Sequence, residues 1–69
     1  MGLVIKISAY ARWECTYFVQ DLDEKRAKEK VFKLFKQTVS CCLPDTLEEL
    51  EHDGKFCIEV VAKIEEIIL

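Results

Sequence analysis

The segment that decides the fold is DLDEKRAKEKVFKLFKQTVSCC, residues 21–42, and it predicts a single amphipathic helix. At 3.6 residues per turn its apolar side chains fall on one side, over an arc broad enough to cover a sheet, while the opposite side is basic. Asp21 and Glu24 have the spacing of a capping box, so we expect the helix to begin at Asp21. The predicted apolar side consists of Ala27, Val31, Phe32, Leu34, Phe35, Val39 and Cys42.

The segment before this helix alternates between apolar and polar residues. From Leu3 to Val19 every odd position is apolar or aromatic, a period of two that predicts strand structure with one face toward a core. One strand of that length would extend roughly 55 Å, too long for a small domain. We therefore expect a hairpin that turns within residues 11–14. A three-residue loop would keep the odd positions on one face. Because no Gly, Asn or Asp is available there for a tight turn, one bulged or bent strand is the alternative.

The segment after the helix predicts two further elements. Pro44 ends the first helix, and Asp45 and Glu48 repeat the capping-box spacing at the start of a short second helix, which Gly54 would close in a left-handed conformation. The density of Val, Ile and Phe favours a strand over residues 56–64, with even positions inward, although an apolar helical stripe is also present. The tail from residue 65 fits neither pattern.

Together these elements predict one α+β domain spanning residues 1–69, in the order β-β-α-α-β. The sheet is three-stranded and mostly antiparallel, with the long helix packed on one face. We expect Leu34 and Phe35 to be buried against Ile5, Ile7 and Val60. A chain of 69 residues has room for one core only, and that core is thin.

Cysteine usage indicates a reducing compartment. Met1-Gly2 leads directly into an alternating strand, with no secretory signal pattern, and no apolar run approaches the length of a membrane span. We therefore expect a cytoplasmic protein whose four cysteines are reduced, metal-free and buried or half-buried. The spacing does not match the paired ligands of structural zinc sites. These cysteines are Cys15, Cys41, Cys42 and Cys57.

Catalytic chemistry has few candidate residues in this sequence. His52 is the single histidine, and the two glycines cannot form a phosphate-binding glycine-rich loop. We expect a protein that is not an enzyme and has no cofactor.

A basic stripe is the first candidate binding feature. Residues 24–36 contain six positive and two negative charges, and this stripe could follow nucleic-acid phosphates. The net charge of −3 and the absence of aromatics on the basic side of the helix favour a solvated helix face instead. The residues of the basic stripe are Lys25, Arg26, Lys30, Lys33 and Lys36.

Two further surfaces are candidates for protein binding. One is the sheet face away from the helix, where we expect Val4, Tyr10 and Phe18, joined by Cys57 and Val61. A single helical layer leaves this face uncovered, and exposed aromatic patches are typical of interfaces. The other surface is the acidic segment 45–53, with Glu48, Glu49 and Glu51, which could contact a basic partner or complement the basic stripe.

The hypothesis that follows is a protein-binding module that regulates or inhibits another protein by docking to it. A virus or mobile element could encode such a protein against a host system. We expect self-association, as a homodimer or larger closed assembly, and no membrane contact. Nucleic-acid binding through the basic stripe is the alternative function.

Overall fold

The computed structural model describes residues 1–38 and 43–65. Its elements are strand β1 (Gly2–Ala9), strand β2 (Trp13–Val19), helix α1 (Glu24–Thr38), helix α2 (Leu47–His52) and strand β3 (Phe56–Ile64). This confirms the predicted α+β class and the order β-β-α-α-β. The sheet is antiparallel throughout, in the order β2-β1-β3. The predicted strand over 56–64 is also confirmed.

Strand β1 lies at the centre of the sheet and supplies the middle of the core. Its odd-numbered side chains are all buried beneath the helices, as the alternation predicts. Both helices pack on this one face, where α1 contributes four buried residues and α2 contributes Leu47 and Leu50. The opposite face of the sheet, here called the open face, has no helix over it among the described residues.

The first two strands form a hairpin whose turn comes earlier than predicted. Ala9 pairs with Trp13, so the loop is Tyr10, Ala11 and Arg12, not residues 11–14. Its three residues keep odd positions on the core face. Tyr10 and Ala11 have φ values of 56° and 52°, a conformation that costs a non-glycine residue roughly 1–2 kcal/mol.

Contacts made by Tyr10 offset the strain of this turn. Its N–H donates a 2.7 Å hydrogen bond to the carbonyl oxygen of Lys55, at the start of β3. Its ring packs edge-on against Phe56, at 5.2 Å between centroids, and against Trp13, at 6.1 Å. The Tyr10 ring contacts and the backbone hydrogen bond to Lys55 therefore stabilise a turn that the local sequence does not favour.

Helix α1 begins at Glu24 and not at Asp21. The Asp23 carboxylate accepts a 3.1 Å hydrogen bond from the N–H of Arg26, so Asp23 is the N-cap. Asp21 instead accepts from the N–H of Asp23 at 2.9 Å, an arrangement that turns the chain into the helix. The predicted continuation of the helix to Cys42, including Val39, lies outside the described residues.

The buried side of α1 is narrower than the sequence suggests. Ala27, Val31, Phe32 and Phe35 are buried, but Leu34 is 45% exposed, which contradicts its predicted place in the core. On a helical wheel Leu34 lies on the flank of the arc that the four buried residues define, about 100° from Phe35. Among the described residues no element packs against that flank of α1, since α2 lies beside the opposite flank.

The short helix α2 also starts one residue later than predicted. Thr46 is its N-cap and accepts a 3.2 Å hydrogen bond from the N–H of Glu49. The predicted closure by a left-handed Gly54 is wrong, because neither glycine has a positive φ. Asp53 ends the helix, and its carboxylate accepts from the N–H of Lys55 at 3.0 Å.

A β-bulge changes which residues of β3 face the core. Val60 pairs with Ile5 but Ala62 pairs with Val4, so Val61 is an extra residue. Phe56, Ile58 and Val60 lie on the helix side as predicted. Beyond the bulge the alternation reverses, so the prediction that Ala62 and Ile64 face inward is wrong: both lie on the open face and are exposed.

Candidate functional site

The open face has an apolar end, here called the open-face patch, formed by the ends of all three strands. Val4 and Phe18 are directly paired across β1 and β2, and Ala62 pairs with Val4 from the other side. Phe18, Val61 and Ile64 are 50%, 49% and 46% exposed. The open-face patch therefore consists of Val4, Phe18, Ala62 and Ile64, which strand pairing places on this face, together with the exposed bulge residue Val61 next to Ala62.

Gly2 determines how Phe18 sits in the open-face patch. A Cβ atom at Gly2 would lie 2.8 Å and 2.9 Å from two carbons of the Phe18 ring and would also collide with the carbonyl oxygen of Val19. The ring thus rests against the Gly2 backbone, and a flat apolar surface results. Sequence reasoning missed this role, because nothing in the local sequence shows which side chain crosses a strand.

The other half of the open face is polar and contains a small charge network. The Lys6 ammonium lies 3.7 Å from a carboxylate oxygen of Glu14 and 3.9 Å from one of Glu59, on the two neighbouring strands. All three side chains are at least 36% exposed, so these ion pairs stabilise the fold little. Their effect is to give the open-face patch a polar border with one excess negative charge.

The predicted partner-binding residues divide among three places. Val4 and Phe18 are adjacent, as expected, but Tyr10 lies in the hairpin turn, about 20 Å along β1 from Val4. There Tyr10 is next to Trp13, which sequence reasoning did not select, and the Arg12 guanidinium lies 5.4 Å from the centre of the Trp13 ring. The aromatic pair beside an arginine, all within one short stretch of sequence, is the signal that could have identified Trp13.

The acidic segment faces the basic helix of its own chain. Glu48, Glu49 and Glu51 are exposed on α2, and a groove of about 680 Å³ separates α2 from the first turns of α1. Lys25 and Lys28 line the same groove as Glu48 and Glu51. Glu24 and Glu29 of α1 line it as well, and among the described residues no ion pair joins the two helices, so whether the acidic segment complements the basic helix stays a prediction.

The basic stripe is on the solvent side of α1, but part of its charge is neutralised. The carboxylate of Asp21 lies 3.2 Å from the Arg26 guanidinium and 3.3 Å from the Lys30 ammonium. Lys36 lies 5.3 Å from the centre of the Phe32 ring. Within residues 1–38 and 43–65, Lys25 and Lys33 form no ion pair.

These contacts also affect the protonation of Asp21. The hydrogen bond from the Asp23 N–H lowers the pKa of Asp21 most, and Lys30 and Arg26 lower it further against the opposing effect of burial. Asp21 therefore stays ionised at lower pH than an ordinary aspartate and links the end of β2 to the start of α1.

In the part of the chain that the structure describes, the cysteines and the histidine do not form a cluster. Cys15 is half-buried and free. Cys57 is free and exposed on the open face, which confirms the face expected for it but contradicts its predicted burial. Cys41 and Cys42 lie outside the described residues. No group of three or more His, Cys, Asp or Glu side chains among residues 1–38 and 43–65 is placed to hold a metal ion. In the same residues neither helix is long and apolar enough to cross a membrane.

Comparison with known proteins gives no relative from which a function could be inferred. No protein-family model, curated protein or solved structure matches this chain.

Proposed function

We propose that this protein is a non-enzymatic protein-binding module that docks to another protein through the open-face patch. The observation that supports the proposal most is the arrangement of Phe18 and Ile64, with the adjacent bulge residue Val61, each close to half exposed, on a sheet face that neither described helix covers. Exposed apolar groups in one contiguous area, with a polar border, have the composition of an interface centre and its rim.

The border of the open-face patch indicates the chemistry of the partner. Glu14 and Glu59 flank the single cation Lys6, so the polar half of the open face has one excess negative charge. A complementary surface would have an apolar centre and a basic group beside it. A module of this size would act by occupying that surface, which is how a small regulator or inhibitor works.

Site-specific photo-crosslinking tests the proposal in the cells from which the chain comes. A photo-reactive residue at Val61 should give a discrete adduct with another polypeptide, and Ile64→Lys in the same chain should abolish it. A matched control places the photo-reactive residue at Leu22, which is 38% exposed and lies outside the open-face patch. Equal adducts from both positions, or none from Val61, would refute docking through the open-face patch.

Nucleic-acid binding through the basic stripe remains the alternative hypothesis. Asp21 engages two of its five cations, and Lys36 covers an aromatic ring, so fewer positive charges point freely to solvent than the sequence suggests. Phosphate binding has a clear signature, because its affinity falls steeply as the salt concentration rises.

A further inference from the structure

Among the described residues strand β2 forms an unpaired edge of the sheet, and the hydrogen-bonding groups along that edge can be assigned to particular residues. The N–H of Tyr10 donates toward β3, and N–H groups alternate in direction along an antiparallel strand. Odd residues of β1 therefore bond to β2, through pairs such as Ile7 with Cys15 and Ile5 with Tyr17. It follows that the backbone groups of the even residues of β2, which are Glu14, Thr16 and Phe18, point away from the sheet.

The two edges of the sheet differ in how well they are guarded against further pairing. Strand β3 has the bulge at Val61 and two charged residues, Glu59 and Lys63. Strand β2 pairs with β1 over seven residues without a register shift and contains one charged residue, Glu14. Bulges and charges are the usual means by which an edge avoids pairing with another chain, and β2 lacks most of them. Outside the β1–β2 ladder, no backbone hydrogen bond within the described residues involves Glu14, Thr16 or Phe18.

Exposed apolar side chains flank this edge on both sides of the sheet. Phe18 lies on the open face and is 50% exposed. On the helix side, Leu34 lies on the flank of α1 away from α2, and Thr38, one turn further on, is close enough to Tyr17 of β2 to lower its pKa. Burial raises the pKa of Tyr17, and the nearby Thr38 side chain partly opposes the rise. The other flank of α1 is the one that lines the groove against α2.

We propose that β2 pairs with β2 of a second copy of this chain, antiparallel and around a two-fold axis, so that the dimer has one continuous six-stranded sheet. Such pairing bonds the outward groups of Glu14, Thr16 and Phe18. It also places the two α1 helices side by side on the same face, where each Leu34 gains an apolar neighbour. A foreign strand without a helical layer would leave Leu34 exposed, which favours a second copy as the occupant.

Dimerisation through this edge goes beyond docking through the open-face patch and is compatible with it. In this antiparallel pairing Glu14 of one copy lies opposite Phe18 of the other, so the pairing places no two like charges directly opposite each other. The open face of each chain stays uncovered in this arrangement. The two open-face patches then lie on one surface, where they can bind a partner with two equivalent sites.

Amide hydrogen exchange on the intact protein tests the pairing directly. At high micromolar concentration, the amide protons of Thr16 and Phe18 should exchange at least about 100-fold more slowly than those of an unpaired edge, approaching the rates of Cys15 and Tyr17. Sedimentation should give twice the chain mass of 8.1 kDa. Fast exchange at both residues in the concentrated protein, or a monomer mass, would overturn the proposal.

Two single substitutions distinguish this edge from the open face. Leu34→Lys should raise the dimer dissociation constant at least about tenfold, since it places a charge in the helix–helix contact. Val61→Lys, a similarly exposed residue at the far edge of the sheet, should leave the dimer intact while abolishing partner docking. If Val61→Lys dissociates the dimer and Leu34→Lys does not, the copies associate through the open face and the edge proposal is wrong.

Discussion

Replacing Phe35 by alanine should destabilise the protein far more than the same change at its neighbour Leu34. Phe35 has no exposed surface and lies in the core, whereas Leu34 is 45% exposed. Phe35→Ala removes a fully buried ring and leaves a cavity, which costs about 3–5 kcal/mol. Leu34→Ala removes about three methylene equivalents that are only half withdrawn from water, so its expected cost is about 1 kcal/mol.

Phe35→Ala should remove a large fraction of the stability of so small a domain. At roughly 0.05–0.15 kcal/mol per residue, the free energy of unfolding of the whole chain is about 3–10 kcal/mol. Phe35→Ala should therefore lower the melting temperature by roughly 12–40 °C, or prevent folding altogether, while Leu34→Ala lowers it by only a few degrees. The difference between the two variants isolates core packing, because the changes in helix propensity are similar and small.

The assay is urea and thermal unfolding, followed by circular dichroism at 222 nm and repeated at several protein concentrations. At low protein concentration, self-association does not contribute to the free energy of unfolding measured for Leu34→Ala. Free energies of unfolding for the two variants that agree within about 1 kcal/mol would refute the orientation of α1 described here.

Four further predictions test other parts of the structure. Gly2→Ala should destabilise the protein by at least about 2 kcal/mol in urea unfolding, because its Cβ has no space, whereas Gly54→Ala should change stability by less than about 0.5 kcal/mol, because no atom lies within 4 Å of its Cβ. The carboxylate of Asp21 has a lowered pKa, so its stabilising contribution is present above its usual pKa of 3.8 and is lost as the pH falls through the folded-state pKa. Melting curves of wild type and Asp21→Asn should therefore differ at neutral pH and converge in acid, and an unchanging difference would contradict this. Peptide mapping after brief alkylation should show Cys57 modified faster than Cys15, in keeping with their exposure, and equal rates would argue against that placement. Fluorescence anisotropy with DNA and RNA should show no binding even at low salt, and a steeply salt-dependent affinity would revive the alternative function.

Placement of the candidate site was only partly predictable. Alternation along β1 and β2 correctly predicted that Val4 and Phe18 share the uncovered face, because side-chain direction in a regular strand follows from residue parity alone. Tyr10 was misplaced because the turn starts at a residue whose positive φ is made tolerable by contacts with Lys55 and Phe56, which are remote in sequence. Ile64 was missed because a bulge shifts parity without leaving any mark in the local sequence.

What the sequence by itself determines about this protein is its set of elements. The periods of 2 and 3.6 residues specify two strands, a long helix, a short helix and a last strand in the observed order, since each element must bury its own apolar side chains. Only the tertiary structure decides where those elements stop and which residues remain outside the core. Leu34 belongs to the apolar stripe by its spacing yet is exposed, because no described element packs against its flank of α1. Gly2 gains its role from a ring on the next strand, and β2 becomes an open edge because β1 takes the centre of the sheet. Strand order and the width of each layer are properties of the assembled chain, and no local pattern of residues encodes them.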